Sequence, residues 1–205
     1  MNTYLGAAQD LHPNDVDPEV VTGAAITYLE GYLWDPPHAK EAFRKAAAIA
    51  HGAGRKVALT LSDAFCVDRY RDDFRALMRS GAVDLIFANE AELKSLYQTS
   101  DFDSAVTTLR DEVKLAAVTR SEKGCVVISR ESHDSVSAAP IDKFVDATGA
   151  GDLFAAGFLT GLARDENLRN CARLGAIAAA EVIQHLGARP ETSLKALAAD
   201  NGSTI

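Results

Sequence analysis

Short apolar runs alternate with longer amphipathic stretches along this chain, and the alternation predicts its architecture. Residues 24–30, 57–61, 84–88, 115–119 and 124–129 read as strands. The run Val57-Ala58-Leu59-Thr60-Leu61 is nearly all apolar, as a strand covered on both faces requires. Residues 24–30 are apolar enough to predict an interior strand, and residues 134–139 predict one that reaches back over its predecessor. Helices are expected between them. One spans residues 38–51 after Pro37, whose missing N–H is not needed at a helix start. Another spans 68–80, with Tyr70, Phe74, Leu77 and Met78 on one side. Residues 90–97 and 101–112 follow, the latter with Asp101 as N-cap. Three more helices are expected over about 149–163, 168–186 and 191–199. Strands alternating with helices predict an α/β fold, a parallel sheet with helices on both sides. In such sheets ligands sit beyond the carboxyl ends of the strands. Ser62-Asp63, Asn89 and Thr119 all fall at those ends.

The stretch Asp146-Ala147-Thr148-Gly149-Ala150-Gly151-Asp152 stands out from this pattern. It follows the β-prone Lys143-Phe144-Val145 and leads into Leu153-Phe154-Ala155-Ala156-Gly157-Phe158-Leu159, which reads as a buried helix. A strand, a glycine turn and a helix start in that order make a place for an anion. Small residues let backbone N–H groups approach a phosphate, and the first helical turn has unpaired donors. Asp152 puts a carboxylate among those donors. A pure phosphate cradle gains nothing from that charge. A site that takes a proton from an attacking hydroxyl beside a transferring phosphate does. The alternative is an acid favoured by the helix macrodipole, and Asp146 has the alternative of a turn residue.

Two further stretches carry polar groups at strand ends. Asn89 and Glu92 have the i,i+3 spacing of a capping box. The same carboxylate and amide oxygens also suit the hydrated shell of Mg²⁺, and a capped turn would be a rigid support for it. Thr119-Arg120-Ser121-Glu122-Lys123-Gly124 reads either as a hairpin turn or as a loop whose hydroxyls and cations meet a nucleotide phosphate.

Composition narrows the function class. The chain has 205 residues, is 47% hydrophobic and carries a formal net charge of −8. That size supports one domain with a real core or a large piece of a bigger one, and the acidic balance argues against a nucleic-acid surface. An anionic substrate would need local positive potential, which Arg120 and Lys123 could supply. Cys66, Cys125 and Cys171 are odd in number and lie in apolar contexts, which predicts reduced core thiols in a cytosolic protein. No apolar run approaches the ~18–20 residues of a membrane span, and the opening residues lack the pattern of a signal peptide.

Two familiar phosphate motifs fail on their residues. A P-loop needs Gly-Lys-Ser/Thr, and Gly151 is followed by Asp152 and Leu153. A dinucleotide fingerprint needs Gly or Ala at its sixth position, where Phe154 stands when the count starts at Gly149. The acid expected farther on is replaced by Arg169 and Asn170. A Rossmann-type oxidoreductase is therefore disfavoured.

The stretch from Asp146 to Asp152 instead resembles the second signature of the PfkB (ribokinase-like) family of sugar and nucleoside kinases. Asn89-x-x-Glu92 resembles that family's magnesium-associated motif, and Thr119 to Gly124 its nucleotide loop. The order and spacing of these motifs also fit, as does Gly187-Ala188 after the Ala-rich helix. Residues 28–34 and 61–68 look most like the bacterial adenosine-kinase-like branch. The resemblance implies a three-layer α/β/α fold with a mostly parallel sheet and an ATP-dependent transfer to a hydroxyl of adenosine or a related sugar or nucleoside. It implies Asp152 as catalytic base and Gly149, Ala150 and Gly151 as the anion hole. Asn89 and Glu92 would organise Mg²⁺ through water, and Asn89, Thr119, Ser121, Gly124 and Ala176 would lie at the nucleotide. Asp146 and Thr148 match positions that bind a monovalent cation such as K⁺. The acceptor is then a small molecule, with neither nucleic acid nor membrane as partner.

Three departures stand against the family pattern. Ser121 occupies a common glycine position. Ala176 falls where many members place a polar residue near adenine. Members usually carry a further N-terminal portion with a glycine-rich first signature, much of the sugar-binding surface and a lid. The sequence thus raises the expectation of an N-terminally truncated kinase without a lid, with weak or no turnover. The competing expectation is a nucleotide-binding remnant without catalysis.

Overall fold

The computed structural model describes residues 5–202. Six strands form one sheet in chain order: β1 (Ile26–Glu30), β2 (Lys56–Thr60), β3 (Leu85–Asn89), β4 (Leu115–Thr119), β5 (Cys125–Ser129) and β6 (His133–Val136). β1 pairs with β2, and β2 with β3, in parallel, while β6 runs antiparallel to β5. The helices are α1 (Pro18–Gly23), α2 (Pro37–Gly52), α3 (Ala64–Arg79), α4 (Glu90–Tyr97), α5 (Phe102–Glu112), α6 (Ala150–Leu162), α7 (Leu168–Val182) and α8 (Leu194–Asp200). The chain divides into two compact units, one up to Ala116 and one from Ala117.

In the first unit, consecutive burial of Leu85, Ile86, Phe87 and Ala88 shows β3 covered on both faces. α2 packs on β1 and β2, and its buried side consists of Ala39, Ala42, Phe43, Ala46, Ala47 and Ala50. The fully buried Trp34 sits against Phe43 and Phe74, with ring centroids 5.6 and 6.0 Å away. Its indole N–H donates to Asp73 at 2.8 Å, so the polar end of the ring is satisfied. Glu112 is a second anchor. Its carboxylate accepts from Arg75 at 2.6 Å, from Arg79, and from the Tyr97 hydroxyl at 3.0 Å.

β1 is the first strand of the described residues. It stands at one end of the strand order with β2 as its neighbour, and Tyr28 is 36% exposed. α3 begins earlier than expected because Asp63 caps it, accepting the Cys66 N–H at 2.6 Å. A kink at Tyr70 (φ −123°, ψ 25°) hides the continuity of that helix from its periodicity. α4 and α5 fall where their caps, Asn89 and Asp101, place them.

The second unit is built on α6 against α7. Two glycines set how close these helices come. A β-carbon at Gly157 would lie 2.5 Å from the Leu174 carbonyl oxygen, and one at Gly175 would lie 2.6 Å from that of Phe154. α7 also packs on β5 and β6. Cys125 and Cys171 are free and buried here, as Cys66 is in the first unit. Among the described residues no helix is long and apolar enough to cross a membrane.

Three expectations for this unit are corrected. Lys143-Phe144-Val145 forms no strand. The N–H groups of Val145 and Asp146 both donate to the Ile183 carbonyl, at 2.8 and 3.3 Å, and Phe144 is 66% exposed. The helix read over residues 153–159 is buried on one side only, through Phe154, Ala155 and Phe158. α7 ends at Val182 and α8 starts at Leu194, so residues 183–193 hold non-helical chain where two helices were expected to flank a short stop. The cause is a carboxylate: Glu181 takes the N–H groups of Glu191 and Thr192, and Ser193 caps α8 in their stead.

Candidate active site

The stretch Asp146 to Asp152 opens α6. Gly149 is the N-cap residue, at φ 83°, a conformation that glycine adopts without the penalty a β-carbon brings. It also lies against Ala188: a β-carbon at 149 would come within 2.8 Å of the Ala188 Cα and Cβ. No side chain caps the helix start. The Ala150 N–H donates to the Ala147 carbonyl at 3.1 Å, whereas the Gly151 and Asp152 N–H groups that follow have no capping side chain. At Gly151, by contrast, a β-carbon would meet no protein atom within 4 Å. Gly151 and Asp152 are both exposed.

Asp146 supports the turn from behind. Its Oδ1 accepts the Thr148 N–H at 2.9 Å and the Thr148 hydroxyl at 2.7 Å, and its Oδ2 accepts the Gly187 N–H at 3.1 Å. The Thr148 side chain and the Thr148 and Gly187 N–H groups hold the Asp146 carboxyl below the usual carboxylate range.

Beside this helix start lies a cavity of about 190 Å³. Ala150 and Gly151 form one wall, Thr119, Ser121 and Gly124 another, and Ala176 a third. The loop from Thr119 to Gly124 is closed by a single 3-10 turn, and the Arg120 N–H donates to the Gly124 carbonyl at 2.7 Å. Thr119, Ser121, Gly124, Ala150, Gly151 and Ala176, each singled out from the sequence, thus line one space. Phe154, Ala179, Ala180 and Ile183 line it too and were missed. A signal existed: Ala176, Ala179, Ala180 and Ile183 recur at i, i+3, i+4 and i+7, one face of a helix. Small apolar residues on that face read as core, and here they line a cavity instead.

In the first unit, Asn89 and Glu92 form the capping box. The Asn89 side chain accepts the Glu92 N–H at 2.9 Å, and the Glu92 carboxylate accepts the Asn89 N–H at 2.9 Å and its Nδ2 at 2.6 Å. Glu92 is only 4% exposed. Burial pushes its carboxyl up to about 7, the Asn89 N–H opposes this, and the charges of Asp63 and Glu30 add to it. Glu30 itself accepts from the Ser62 hydroxyl, and Ser62 holds a positive φ of 71°. Burial, then Asp63, then Glu30 and Glu92 push the Tyr32 hydroxyl up to about 12. The ends of β1, β2 and β3 thus gather Glu30, Asp63 and Glu92, an acidic surround that a cation would relieve. Among the described residues no group of three His, Cys, Asp or Glu is placed to hold a metal directly. Carboxylate and amide oxygens of this kind are the donor type that suits a hard cation such as Mg²⁺. Glu30 was not singled out from the sequence, where it is only the last residue of a strand.

Comparison with known proteins bears on these motifs. The pfkB family carbohydrate kinase profile matches residues 1–195. The chain is 30% identical to the adenosine kinase of Saccharomyces cerevisiae over 200 residues, 90% of this chain and 57% of that protein. Two solved structures share 53% identity with it. The adenosine kinase from Sinorhizobium meliloti superposes with a TM-score of 0.95 over 99% of this chain and 62% of its own. A probable sugar kinase from Rhizobium etli superposes with a TM-score of 0.97 over 98% of this chain and 61% of its own. The chain thus spans less than two thirds of the length of each of these relatives. Its profile match runs through every motif described above, and its fold is that of the ribokinase-like proteins. The chain belongs to the pfkB family of carbohydrate kinases.

Proposed function

We propose that this chain carries the nucleotide and catalytic portion of an ATP-dependent kinase that phosphorylates a hydroxyl of adenosine or a related nucleoside or sugar. The observation that carries the reading is the helix start at Gly149. No side chain caps its Gly151 and Asp152 N–H groups, the turn adjoins the cavity lined by Thr119, Ser121 and Ala176, and the exposed carboxylate of Asp152 stands in the same turn. The adenosine kinases among its relatives supply the acceptor class.

The chemistry follows from these groups. The Asp152 carboxylate accepts the proton of the acceptor hydroxyl as that oxygen bonds to the γ-phosphorus. The bond from the γ-phosphorus to its bridging oxygen breaks, and ADP departs. Charge spreads over the three phosphoryl oxygens, so donors fixed in advance do most to lower the barrier. The N–H groups of Gly149, Ala150 and Gly151 are fixed by the αL turn and by the Asp146 bonds behind it. Ala176, Ala179, Ala180 and Phe154 offer a slot for the flat base, and the Thr119 and Ser121 hydroxyls offer polar contacts at its rim. Mg²⁺ would supply positive charge that offsets the phosphates, and Asn89 and Glu92 are the groups that would orient its water shell. A monovalent cation of the K⁺ class would take its oxygen ligands from Asp146 and Thr148.

Phosphate transfer from ATP to adenosine, ribose and fructose tests the proposal, with wild-type protein beside Asp152→Asn. The expected outcome is turnover with adenosine that falls by about 10²–10⁴ in the variant, the range of general-base catalysis. Measurable MgATP binding with no turnover on any acceptor would replace the kinase by a nucleotide-binding protein.

A further inference from the structure

α7 carries a buried acid for which the proposed reaction has no direct use. Glu181 is 7% exposed and lies on the last turn of a helix whose neighbouring residues are apolar. A charge there needs a full set of donors, and it has them. Its Oε1 accepts the Glu191 N–H at 2.8 Å, the Thr192 N–H at 3.0 Å and the Thr192 hydroxyl at 3.1 Å. Its Oε2 faces the His185 Nε2 at 3.3 Å, and the Nδ1 of that ring stands 3.7 Å from the Glu191 carboxylate. Burial alone would push the Glu181 carboxyl up. The Glu191 N–H, His185 and Thr192 outweigh burial and hold it below the ordinary range.

These bonds pin the far end of the segment from Gly187 to Thr192. The near end of the same segment touches the helix start. The Gly187 N–H donates to Asp146 Oδ2 at 3.1 Å, and Ala188 lies where a β-carbon on Gly149 would collide with it. The backbone of Asp146 has its own tie to the Ile183 carbonyl. What the strap adds is a donor for the Asp146 carboxylate and a wall behind Gly149. Arg189 and Pro190, the middle of the strap, are exposed.

We propose that Glu181 is a positioning residue for phosphoryl transfer: it clamps the strap Gly187–Thr192, and the strap holds Gly149 and Asp146 so that the first-turn N–H groups of α6 stay aimed at the phosphoryl site. The proposal rests on reading residues 149–152 as the anion hole. Glu181 lies outside the motif and touches no proposed ligand, so its effect runs through backbone placement. Donors fixed in advance lose their advantage when they can move, and a shift of about an ångström in such a group can cost on the order of 10²-fold in rate.

Hydrogen–deuterium exchange followed by steady-state kinetics tests it. In ligand-free protein, Glu181→Ala is expected to speed exchange by roughly tenfold or more at residues 187–192 and also at 146–152, a local opening distinct from global unfolding. With ATP and adenosine, kcat should fall on the order of 10- to 100-fold while KM for ATP stays within about twofold. Glu181→Gln keeps an acceptor oxygen for the strap and should restore most of both. If Glu181→Ala does not fold, Thr192→Val removes one donor and should give a smaller change in the same direction at both segments. Faster exchange at 187–192 with 146–152 unchanged would overturn the proposal, as would a loss carried by KM alone. Failure of the underlying reading looks different: wild-type amides at 119–124 and 149–152 would gain no protection from MgATP, and that result overturns both.

Discussion

Gly151 separates what the fold needs from what the proposed chemistry needs. It is the second residue of α6, exposed, and free of the positive φ that constrains Gly149. A β-carbon there meets no protein atom within 4 Å. Gly151→Ala should therefore not lower stability. Alanine is the better helix former, and it restricts the unfolded chain, which together favour the variant by about 0.4–1 kcal/mol. For a chain of this size that corresponds to a rise of roughly 1–4 °C in Tm. The added methyl would stand over N–H groups that the phosphoryl oxygens must approach. Loss of one such donor costs on the order of 10²–10³ in kcat. Gly149→Ala is the contrast: φ of 83° and the 2.8 Å approach to Ala188 make it destabilising before any ligand is considered. Thermal denaturation of the two variants, with phosphate transfer and MgATP titration on each, gives the answer. A stable Gly151→Ala protein with undiminished turnover and MgATP affinity would refute the assignment of this backbone to the phosphate. A drop in its Tm would refute the claim that the position is open.

Two further outcomes follow from the packing. Gly175→Ala forces a β-carbon to within 2.6 Å of the Phe154 carbonyl oxygen, so α6 and α7 must separate, at a cost of about 1–3 kcal/mol visible in a denaturant titration; an unchanged midpoint would show that the helices are not in such close contact. Glu112 governs an acid limb. Burial would raise its carboxyl, but Arg75, Arg79 and Tyr97 outweigh burial and hold it below its ordinary value, so its contribution is present above the unfolded pKa of about 4.3 and is lost as pH falls through the lower folded value. Glu112→Gln should cost about 2 kcal/mol at pH 7, and the gap to wild type should close towards pH 3; a gap that stays constant with pH would exclude the charge as its source.

How much of this was legible in the sequence depended on whether the cause was local. α4 and α5 came out of the sequence with correct bounds because Asn89 and Asp101 are caps, and a cap is written in neighbouring residues. β1 to β5 were legible as apolar runs between polar ends, whereas β6, expected over 134–139, is the polar run His133–Val136. The neighbour of each strand was not legible there, because nothing within five residues records which strand lies alongside. Residues 143–145 look β-prone, yet their donors go to the Ile183 carbonyl, some forty residues away in the chain. Glu181 resembles any helix-surface acid until Glu191 and Thr192 are found folded back on it. The motif residues were visible by type and spacing, whereas the apolar slot beside them became visible only when the alanines of α7 faced a cavity.

The bland reading of Asp152, an acid favoured by the helix dipole, is weakened by what the chain does at most of its other helix starts, α2 behind Pro36 being uncapped as well. Asp63, Asn89, Asp101, Asn167 and Ser193 each sit at an N-cap and accept a backbone N–H of the first turn, which is the stronger way to stabilise a helix start. At α6 that place is taken by Gly149, which has no side chain to accept anything, and the acid stands in the third helical position without a cap bond. Asp146, six residues earlier, is fully engaged with Thr148 and Gly187. Of the two acids that bracket this turn, one is committed to holding the backbone, and the other is exposed beside donors left uncapped. A helix selected for its own stability would reverse that arrangement. A turn that must accept a phosphate and a proton in the same place would keep it.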